Sequence, residues 1–598
     1  SLRACAGEYR DAVELAEYTI NNQKDYILEE LYKRKPDVLC FSCYIWNIDY
    51  VTDIAREYKK LCPSVPIWVG GPEVSYEVEA FLRENPYIDG VMIGEGEDTF
   101  RELCGYYAHK RKLSDIAGIA FRKNSTGNST SVNNIGGNKA GEIVFTSPRP
   151  IKNMSEIPFC YDTLDDFSNR IIYYESSRGC PFSCSYCLSS VDKTLRFRDT
   201  EIVKKELKFF IDQKVPQIKF VDRTFNCNHA HAMELWRFIK ANDNGVTNFH
   251  FEISADLLNQ EELELISDMR PGLIQLEIGV QSTNEVTIKE IHRTMKLERL
   301  KEVVKLIQSG NNIHEHLDLI AGLPYEDYDS FGRSFDEIYE LKPNQLQLGF
   351  LKVLKGSYMF EHAAEYGIVY HDKPPYEVMS TKWLSFDDVI KIKRVEEMLE
   401  VYYNSGQFEI TMKLMECIFD SAFEFFQELG DFYEANGYFG MSHSRIRRCE
   451  ILLEFLALYL HGCDSDDMAS VGLSGNAGDR DNTDFDENAI DRDSTDFDEN
   501  EQIYNMIQES LIFDLYYREN CKSRPRWTAD IGSFKHMTHA YCKNGKLSHV
   551  EPFHYIFPDK HTRKLDELPK YHKEPVWALF HYDMRDPLDH QALVEYVE

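Results

Sequence analysis

From Ile171 onward the chain repeats one pattern, a short apolar stretch of strand character followed by a stretch of helical periodicity. The apolar stretches lie near 171–177, 216–222, 249–255, 273–280, 314–320 and 345–352. Strands separated by a helix length pair in parallel, because a parallel crossover needs a dozen or more residues and is usually filled by a helix. Six such units predict a partial (β/α)6 TIM-like barrel over 166–357, with functional groups at the carboxyl ends of its strands.

A second alternation precedes it. Val13, Leu15, Tyr18 and Ile20 read as a strand and Asp25 to Lys33 as a helix. Strands at 37–43, 66–71 and 88–93 then alternate with helices at 51–60 and 97–107. This predicts a doubly wound, Rossmann-like parallel sheet over 1–110. The residues before Val13 read as the tail of a helix, so the sheet is expected to lack its first strand. Residues 111–165 form a linker with a hairpin, Ile119–Arg122 against Ile143–Phe145, around a Ser/Asn/Gly-rich insertion at 123–140 expected to be disordered.

After Gly356 the pattern becomes helical, at Phe386–Tyr403, Thr411–Ala435 and Arg445–His461, giving a helical region over 358–462. Asp464 to Glu501 carries 14 acidic and two basic residues, with Arg-Asp-x-Thr-Asp-Phe-Asp-Glu-Asn at 480–488 and again at 492–500. Carboxylates at short spacing are compatible with a calcium loop. The turn glycine and the final bidentate Glu are missing, which favours a solvated, disordered linker over 463–502. Residues 503–598 read as an α+β accessory segment with aromatic strands such as Val576–Tyr582.

The 598 residues are 43% hydrophobic and 28% charged, and no run approaches 18 apolar residues, so no membrane span is expected. Lys and Arg number 67 against 100 Asp and Glu, a net charge of −33, which repels phosphate backbones and argues against nucleic-acid binding. Fifteen cysteines without a secretory leader point to reduced thiols in a cytoplasmic protein.

The sharpest local signal is Arg178-Gly-Cys180-Pro-Phe-Ser-Cys184-Ser-Tyr-Cys187, placed where the first barrel strand ends. Three thiolates within eight residues leave a tetrahedral zinc site one ligand short. They suit three irons of a 4Fe-4S cubane and leave the fourth iron open to substrate. The alternative is a zinc loop completed by a distant residue.

This Cys-x3-Cys-aromatic-x-Cys loop, with the barrel behind it, resembles the radical S-adenosylmethionine (radical SAM) superfamily, in which the open iron binds the amino and carboxylate groups of S-adenosylmethionine. The resemblance covers about Ile171 to Ser357 and is similar to the oxygen-independent coproporphyrinogen oxidase-like branch. It implies Cys180, Cys184 and Cys187 as cluster ligands, and Tyr186, Glu252, Gln281, Arg293 and Asp318 as S-adenosylmethionine contacts. Read from the residues alone, each of these polar groups near the end of an apolar strand is as compatible with a structural ion pair as with a ligand. Asp222 and Arg223 rank below them as pairing partners for that set, and Gly322-Leu-Pro324 is read as a turn.

In the N-terminal sheet, a ligand belongs at the carboxyl edge, formed by Ser42 to Trp46, Gly70-Gly-Pro-Glu73 and Gly94-Glu-Gly-Glu97. These segments resemble the cobalamin-binding domain that precedes the radical core in one class of the superfamily. The resemblance implies cobalamin contacts at Ser42, Gly70, Gly71, Gly94 and Glu95. One departure is clear. No Asp-x-His-x-x-Gly motif is present and the first histidine of the chain is His109, so this domain offers no histidine ligand to cobalt. Three readings stay open: cobalamin bound without a protein ligand, a ligand from a missing strand, or a vestigial domain.

Three other patterns carry little. Cys40 and Cys43 lie three apart on a strand, hence on opposite faces, and read as core thiols rather than a redox pair. His536 and His539 lack a third ligand in register, and Arg524-Pro-Arg-Trp527 reads as an exposed basic turn. The resemblance implies an enzyme that cleaves S-adenosylmethionine to a 5′-deoxyadenosyl radical, expected to be a cobalamin-dependent methyltransferase acting on an unactivated carbon. The alternatives are a radical oxidation, cyclisation or rearrangement, and a non-enzymatic iron-sulfur or zinc interaction protein. The expected partners are a small-molecule or peptide substrate and a one-electron reductant such as flavodoxin or ferredoxin.

Overall fold

The computed structural model describes residues 1–123, 142–161, 163–164, 167, 170–461, 499–522, 524–528, 531–542, 547–558, 562–565 and 567–597. The expected insertion at 123–140 lies outside these residues except for Lys123, and so does most of the acidic linker at 463–502. The chain divides into two compact units. One holds Ser1–Asn311, Ile320–Asp327 and Gly349–Phe386, the other Asn312–Leu319, Tyr328–Leu348 and Asp387–Glu598.

The first unit opens with three parallel strands, β1 (Leu39–Ser42), β2 (Ile67–Gly70) and β3 (Gly90–Met92), paired as Leu39↔Ile67 and Trp68↔Gly90. Both faces of this sheet are covered, as a doubly wound fold requires. One face packs Val51, Ile54, Ile67, Val69 and Val91, the other Trp68, Met92, Phe100 and Leu103. Cys43 belongs to the first core and Cys40 to the second, the opposite-face arrangement expected of them. The hairpin, β4 (Ile119–Arg122) and β5 (Ile143–Phe145), pairs antiparallel onto β3 and extends the sheet. The strand expected over Val13–Ile20 does not form. Leu15 is 66% and Ile20 47% exposed, and without a neighbouring strand to satisfy its backbone the segment stays irregular.

The cysteine region follows. Strand β6 (Ile172–Tyr174) leads to a short ribbon of β7 (Ser177–Arg178) and β8 (Arg196–Phe197), which opens and closes the cysteine loop. Strands β9 (Gln217–Phe220), β10 (Asn248–Ile253) and β11 (Ile274–Gln281) continue the series, and β6, β9, β10 and β11 run side by side, all parallel, within a six-stranded sheet. Alternation decides which side chains face the helices. Ile218, Phe220, Phe249, Phe251, Leu276 and Ile278 are buried in apolar packing, whereas Lys219, His250, Glu252 and Glu277 occupy the other face. There Glu277 accepts from Lys219 Nζ at 2.9 Å and lies 3.0 Å from His250 Nε2.

In the second unit, β12 (His314–Ala321) and β13 (Gln345–Phe350), whose last residues belong to the first unit, supply the fifth and sixth expected strands. The helix expected over Thr411–Ala435 is two helices, Glu409–Ile418 and Ala422–Ala435. Ser421 breaks it, because its Oγ caps the second helix by accepting from Glu424 N at 3.0 Å and donates to Asp336 at 2.7 Å. Asp514, buried on the helix Glu499–Arg518, receives the N–H groups of Ile410 and Thr411, both at 2.9 Å, at the start of the first. Strands Ser548–Tyr555, Tyr571–His581 and Leu593–Val597 form an antiparallel sheet. Arg524 is not part of an exposed turn. Its guanidinium is largely covered and bonds to buried Glu551, which His549 of the same strand also approaches. Among the described residues no helix is long and apolar enough to cross a membrane.

Candidate functional site

The cysteine loop holds its shape through its own backbone. Cys180 N donates to Asp192 O at 3.3 Å, Cys187 N to Cys184 O at 3.2 Å, and Ser190 Oγ to the carbonyls of Cys184 and Cys187 at 2.8 and 2.6 Å. Gly179 (φ 86°) makes the entry turn, where a Cβ would strike the Thr194 carbonyl. Ser185 is clamped from both sides, donating its N–H to Ile291 O and accepting from Met359 N, both at 2.9 Å. Cys180 and Cys184 are buried and Cys187 is half-buried. Burial pushes the Cys180 thiol up, and hydrogen bonds from the Phe182 backbone and the Thr224 side chain oppose the shift. Among the described residues no three His, Cys, Asp or Glu side chains converge on a single ion.

Arg293 lies against this loop. Its Nη1 is 3.8 Å from Cys184 Sγ and 3.4 Å from Tyr186 Oη, and its Nη2 donates to Gly279 O. Gln281, at the end of β11 with φ 77°, folds back over Gly279, where any side chain would collide with it. Three buried polar atoms here have no protein partner: Gln281 Oε1, Arg293 Nε and Ser185 Oγ. An acceptor and two donor-capable groups left unsatisfied beside the cysteines match the needs of an amino-acid ligand with an ammonium and a carboxylate. Glu252 is ion-paired with Arg223, one of the residues ranked lower from sequence. Asp318 lies on β12 in the second unit, its Oδ1 3.2 Å from His316 Nε2. The structure therefore brings Cys180, Cys184, Cys187, Tyr186, Gln281 and Arg293 together, with Glu252 on the adjoining strand.

A second network went unread in the sequence. Asp222, fully buried, accepts from Ser176 N at 3.0 Å and from the hydroxyls of Ser176 and Ser177, both at 2.6 Å, while Ser176 Oγ also lies 2.9 Å from His231 Nε2. Burial pushes Asp222 up to about 6, against its hydrogen bonds, and pushes His231 down to about 4. The only sequence signal was a carboxylate ending an apolar strand.

At the carboxyl edge of the N-terminal sheet, Ser42 O accepts from Asn47 Nδ2 at 2.9 Å and Gly70 O from Cys43 N at 2.7 Å. Gly71 (φ 119°) packs on the Cys43 backbone, and a Cβ there would overlap the Cys43 carbonyl. Gly94 (φ 74°) faces open space. Beyond β1, Tyr44 and Trp46 stack at 4.5 Å, and Trp46 is 62% exposed. Glu95 reaches instead into the cysteine-loop ribbon, its Oε1 2.6 Å from Arg196 Nη1 and 3.4 Å from Arg178 Nη1. His109 follows the helix Glu97–Tyr107, which starts at this edge and leads away from it, so it stands about 16 Å from the edge at 1.5 Å per residue.

Family models match in the same order. The B12 binding domain model covers residues 1–104 and the Radical SAM superfamily model residues 174–338, which include the cysteine loop. The chain carries a B12-binding domain followed by a radical SAM domain. A third model, described as a protein of unknown function (DUF4080), covers residues 364–591. The chain is 28% identical over 330 residues to the cobalamin-dependent radical SAM methyltransferase TokK of Streptomyces tokunonensis, covering 51% of this chain and 45% of that protein. It is 24% identical over 371 residues to the uncharacterized methyltransferase PH0819 of Pyrococcus horikoshii, covering 60% of this chain and 75% of that protein. The chain thus spans about half the length of TokK. Among solved structures, the cobalamin-dependent S-adenosylmethionine radical enzyme OxsB with aqua-cobalamin bound is similar in fold, at TM-score 0.52 and 16% identity. That match covers 87% of this chain and 78% of that one.

Proposed function

We propose that this chain is a cobalamin-dependent radical SAM methyltransferase acting on an unactivated carbon. The observation that carries this reading is the direct ion pairing of Glu95 and Glu97, at the carboxyl edge of the B12-binding domain, with Arg178 and Arg196 of the cysteine-loop ribbon. It supports the reading because it joins the edge that would line the corrinoid to the ribbon that would flank the cluster, and a methyl transfer needs the two close together. Cys180, Cys184 and Cys187 would hold a 4Fe-4S cluster. The unsatisfied Gln281 Oε1 and Arg293 Nε, with Tyr186 and Glu252, would hold S-adenosylmethionine. Ser42, Gly70, Gly71 and Gly94, with the backbone of Glu95, would line the corrinoid, where Gly94 leaves room for a bulky ring.

When bound, these groups supply an electron, a 5′-deoxyadenosyl radical and a transferable methyl group. The protein's own residues orient them. Arg293 places a positive charge beside Cys184 and Tyr186, and the buried Ile291, Leu323, Leu351, Val353 and Met359 pack behind Tyr186 and exclude water. The reductant is a flavodoxin or ferredoxin and the substrate a small molecule or peptide. Every described cysteine is free, which suits a reducing cytoplasm.

Anaerobic reconstitution with iron, sulfide and hydroxocobalamin tests the reading. About four irons per chain and corrinoid absorbance in the protein peak support it, and replacing all three cysteines by Ala removes the iron but leaves the corrinoid. Label from methyl-labelled S-adenosylmethionine that never reaches any product or the corrinoid would refute methyl transfer.

A further inference from the structure

The ribbon that closes the cysteine loop carries two arginines directly opposite each other, Arg178 on β7 and Arg196 on β8. Like charges facing across a two-residue ladder repel, and so short a ladder has little else to hold it. Each arginine is neutralised from the N-terminal domain. Glu95 Oε1 lies 2.6 Å from Arg196 Nη1 and 3.4 Å from Arg178 Nη1, so one carboxylate oxygen bridges the pair. Glu97 Oε1 accepts from Arg178 Nη2 at 2.6 Å, and Glu175 accepts from Arg178 Nε at 2.9 Å. On the other strand, Arg196 also reaches Asp192 at 3.0 Å and the Lys152 carbonyl at 3.2 Å. Lys152 N in turn donates to Glu95 Oε2 at 3.2 Å. The side chains are largely withdrawn from solvent, Glu97 being 5% and Arg196 13% exposed, so screening by water and salt is weak.

From this arrangement we infer that Glu95 and Glu97 are positioning residues for the cysteine loop: the B12-binding domain holds the ribbon shut around the three thiols through two carboxylates. The Gly94-Glu-Gly-Glu97 segment then has a divided role. Its glycine faces the open carboxyl edge, while its two glutamates point away from the corrinoid region and into the radical SAM core. Arg178 is separated from Cys180 only by Gly179, so losing its anchors moves the first thiol directly. The inference rests on the cluster reading above.

The test uses the full chain, reconstituted anaerobically with iron, sulfide and hydroxocobalamin, as wild type, Glu95→Gln, Glu97→Gln and Glu95→Asp. Wild-type iron content judges the cluster reading by itself. Iron release to a ferrous chelator is then timed, the electron paramagnetic resonance spectrum of the reduced cluster recorded, and corrinoid retention measured by absorbance. Removing a group that orients a metal ligand typically weakens metal binding by about 10-fold or more. Glu95→Gln and Glu97→Gln are therefore expected to release iron about 10-fold faster and to alter the reduced-cluster spectrum. Corrinoid retention should be unchanged, and Glu95→Asp should restore part of the iron retention. Apoprotein unfolding midpoints within error of wild type separate a positioning role from a general loss of stability. Unchanged iron release and spectrum, with corrinoid lost from Glu95→Gln, would overturn the inference and make Glu95 a corrinoid contact.

Discussion

Arg293 holds its Nη1 3.8 Å from Cys184 Sγ while its Nη2 donates to the Gly279 carbonyl, so one guanidinium ties the cysteine loop to strand β11. The remaining Nε is buried without a protein partner. A planar fork engaged at two corners with a third donor free is set up to read a carboxylate or carbonyl oxygen.

Arg293→Lys keeps the charge but lacks that fork. A hydrogen bond to a charged group contributes about 1.5–3 kcal/mol, so S-adenosylmethionine should bind roughly 10- to 100-fold more weakly, with iron content retained. Equilibrium dialysis of the reconstituted variant measures this. Unaltered affinity would show that Arg293 serves only the loop.

Asp222 and His231, both hydrogen-bonded to Ser176, should pull the pH dependence of stability in opposite directions. Asp222 rises from 3.8 to about 6 on folding, so the native state holds its proton longer than the unfolded chain, and stability falls as pH rises from about 4 to 6. His231 drops from 6.5 to about 4, so the unfolded chain binds the extra proton and stability rises with pH between about 4 and 6.5. Each contribution amounts to roughly 3 kcal/mol at full extent, at 1.36 kcal/mol per pH unit, and in the wild type they largely cancel. His231→Gln apoprotein should therefore lose stability from pH 4.5 to 6, and Asp222→Asn should gain it. Urea titrations at several pH values check both signs, and parallel slopes in the two variants would contradict the pairing.

Gly71 and Gly94 both have positive φ but differ in surroundings. Gly71→Ala forces a methyl into the Cys43 carbonyl and should cost several kcal/mol, on the order of the larger core defects, seen as a lowered unfolding midpoint. Gly94→Phe meets open space, carries only the backbone strain of about 1–3 kcal/mol, and leaves the chain folded. Its expected effect is loss of corrinoid with iron retained. A Gly94→Phe protein that keeps its corrinoid would place the ring elsewhere.

Glu551 is almost fully buried between Arg524 and His549, whose Nε2 lies 2.6 Å from Glu551 Oε1. Glu551→Ala strands a covered guanidinium and should destabilise the second unit by about 3–5 kcal/mol. Thermal unfolding followed by circular dichroism checks it. A shift no larger than that of a surface substitution would mean that Arg524 finds water instead.

What the sequence determined by itself was periodic or local. The alternation of apolar and helical stretches announced three parallel strands of the first sheet and the parallel strands β6, β9, β10 and β11 of the second, because side-chain period and crossover length are properties of a single segment. Three cysteines in eight residues announced iron-sulfur chemistry for the same reason: their spacing is set within one loop. Tertiary structure decided which long-range partner each group received. Val13–Ile20 has strand composition yet stays irregular, since a strand exists only when another segment satisfies its backbone. The helical pattern of 411–435 is broken at Ser421 by a bond to Asp336, 85 residues away. Glu95, which the resemblance to a cobalamin-binding domain implies as a corrinoid contact, turns its carboxylate to an arginine 101 residues later. A carboxylate carries no local mark of the cation it will meet, and only the folded chain brings the two within reach.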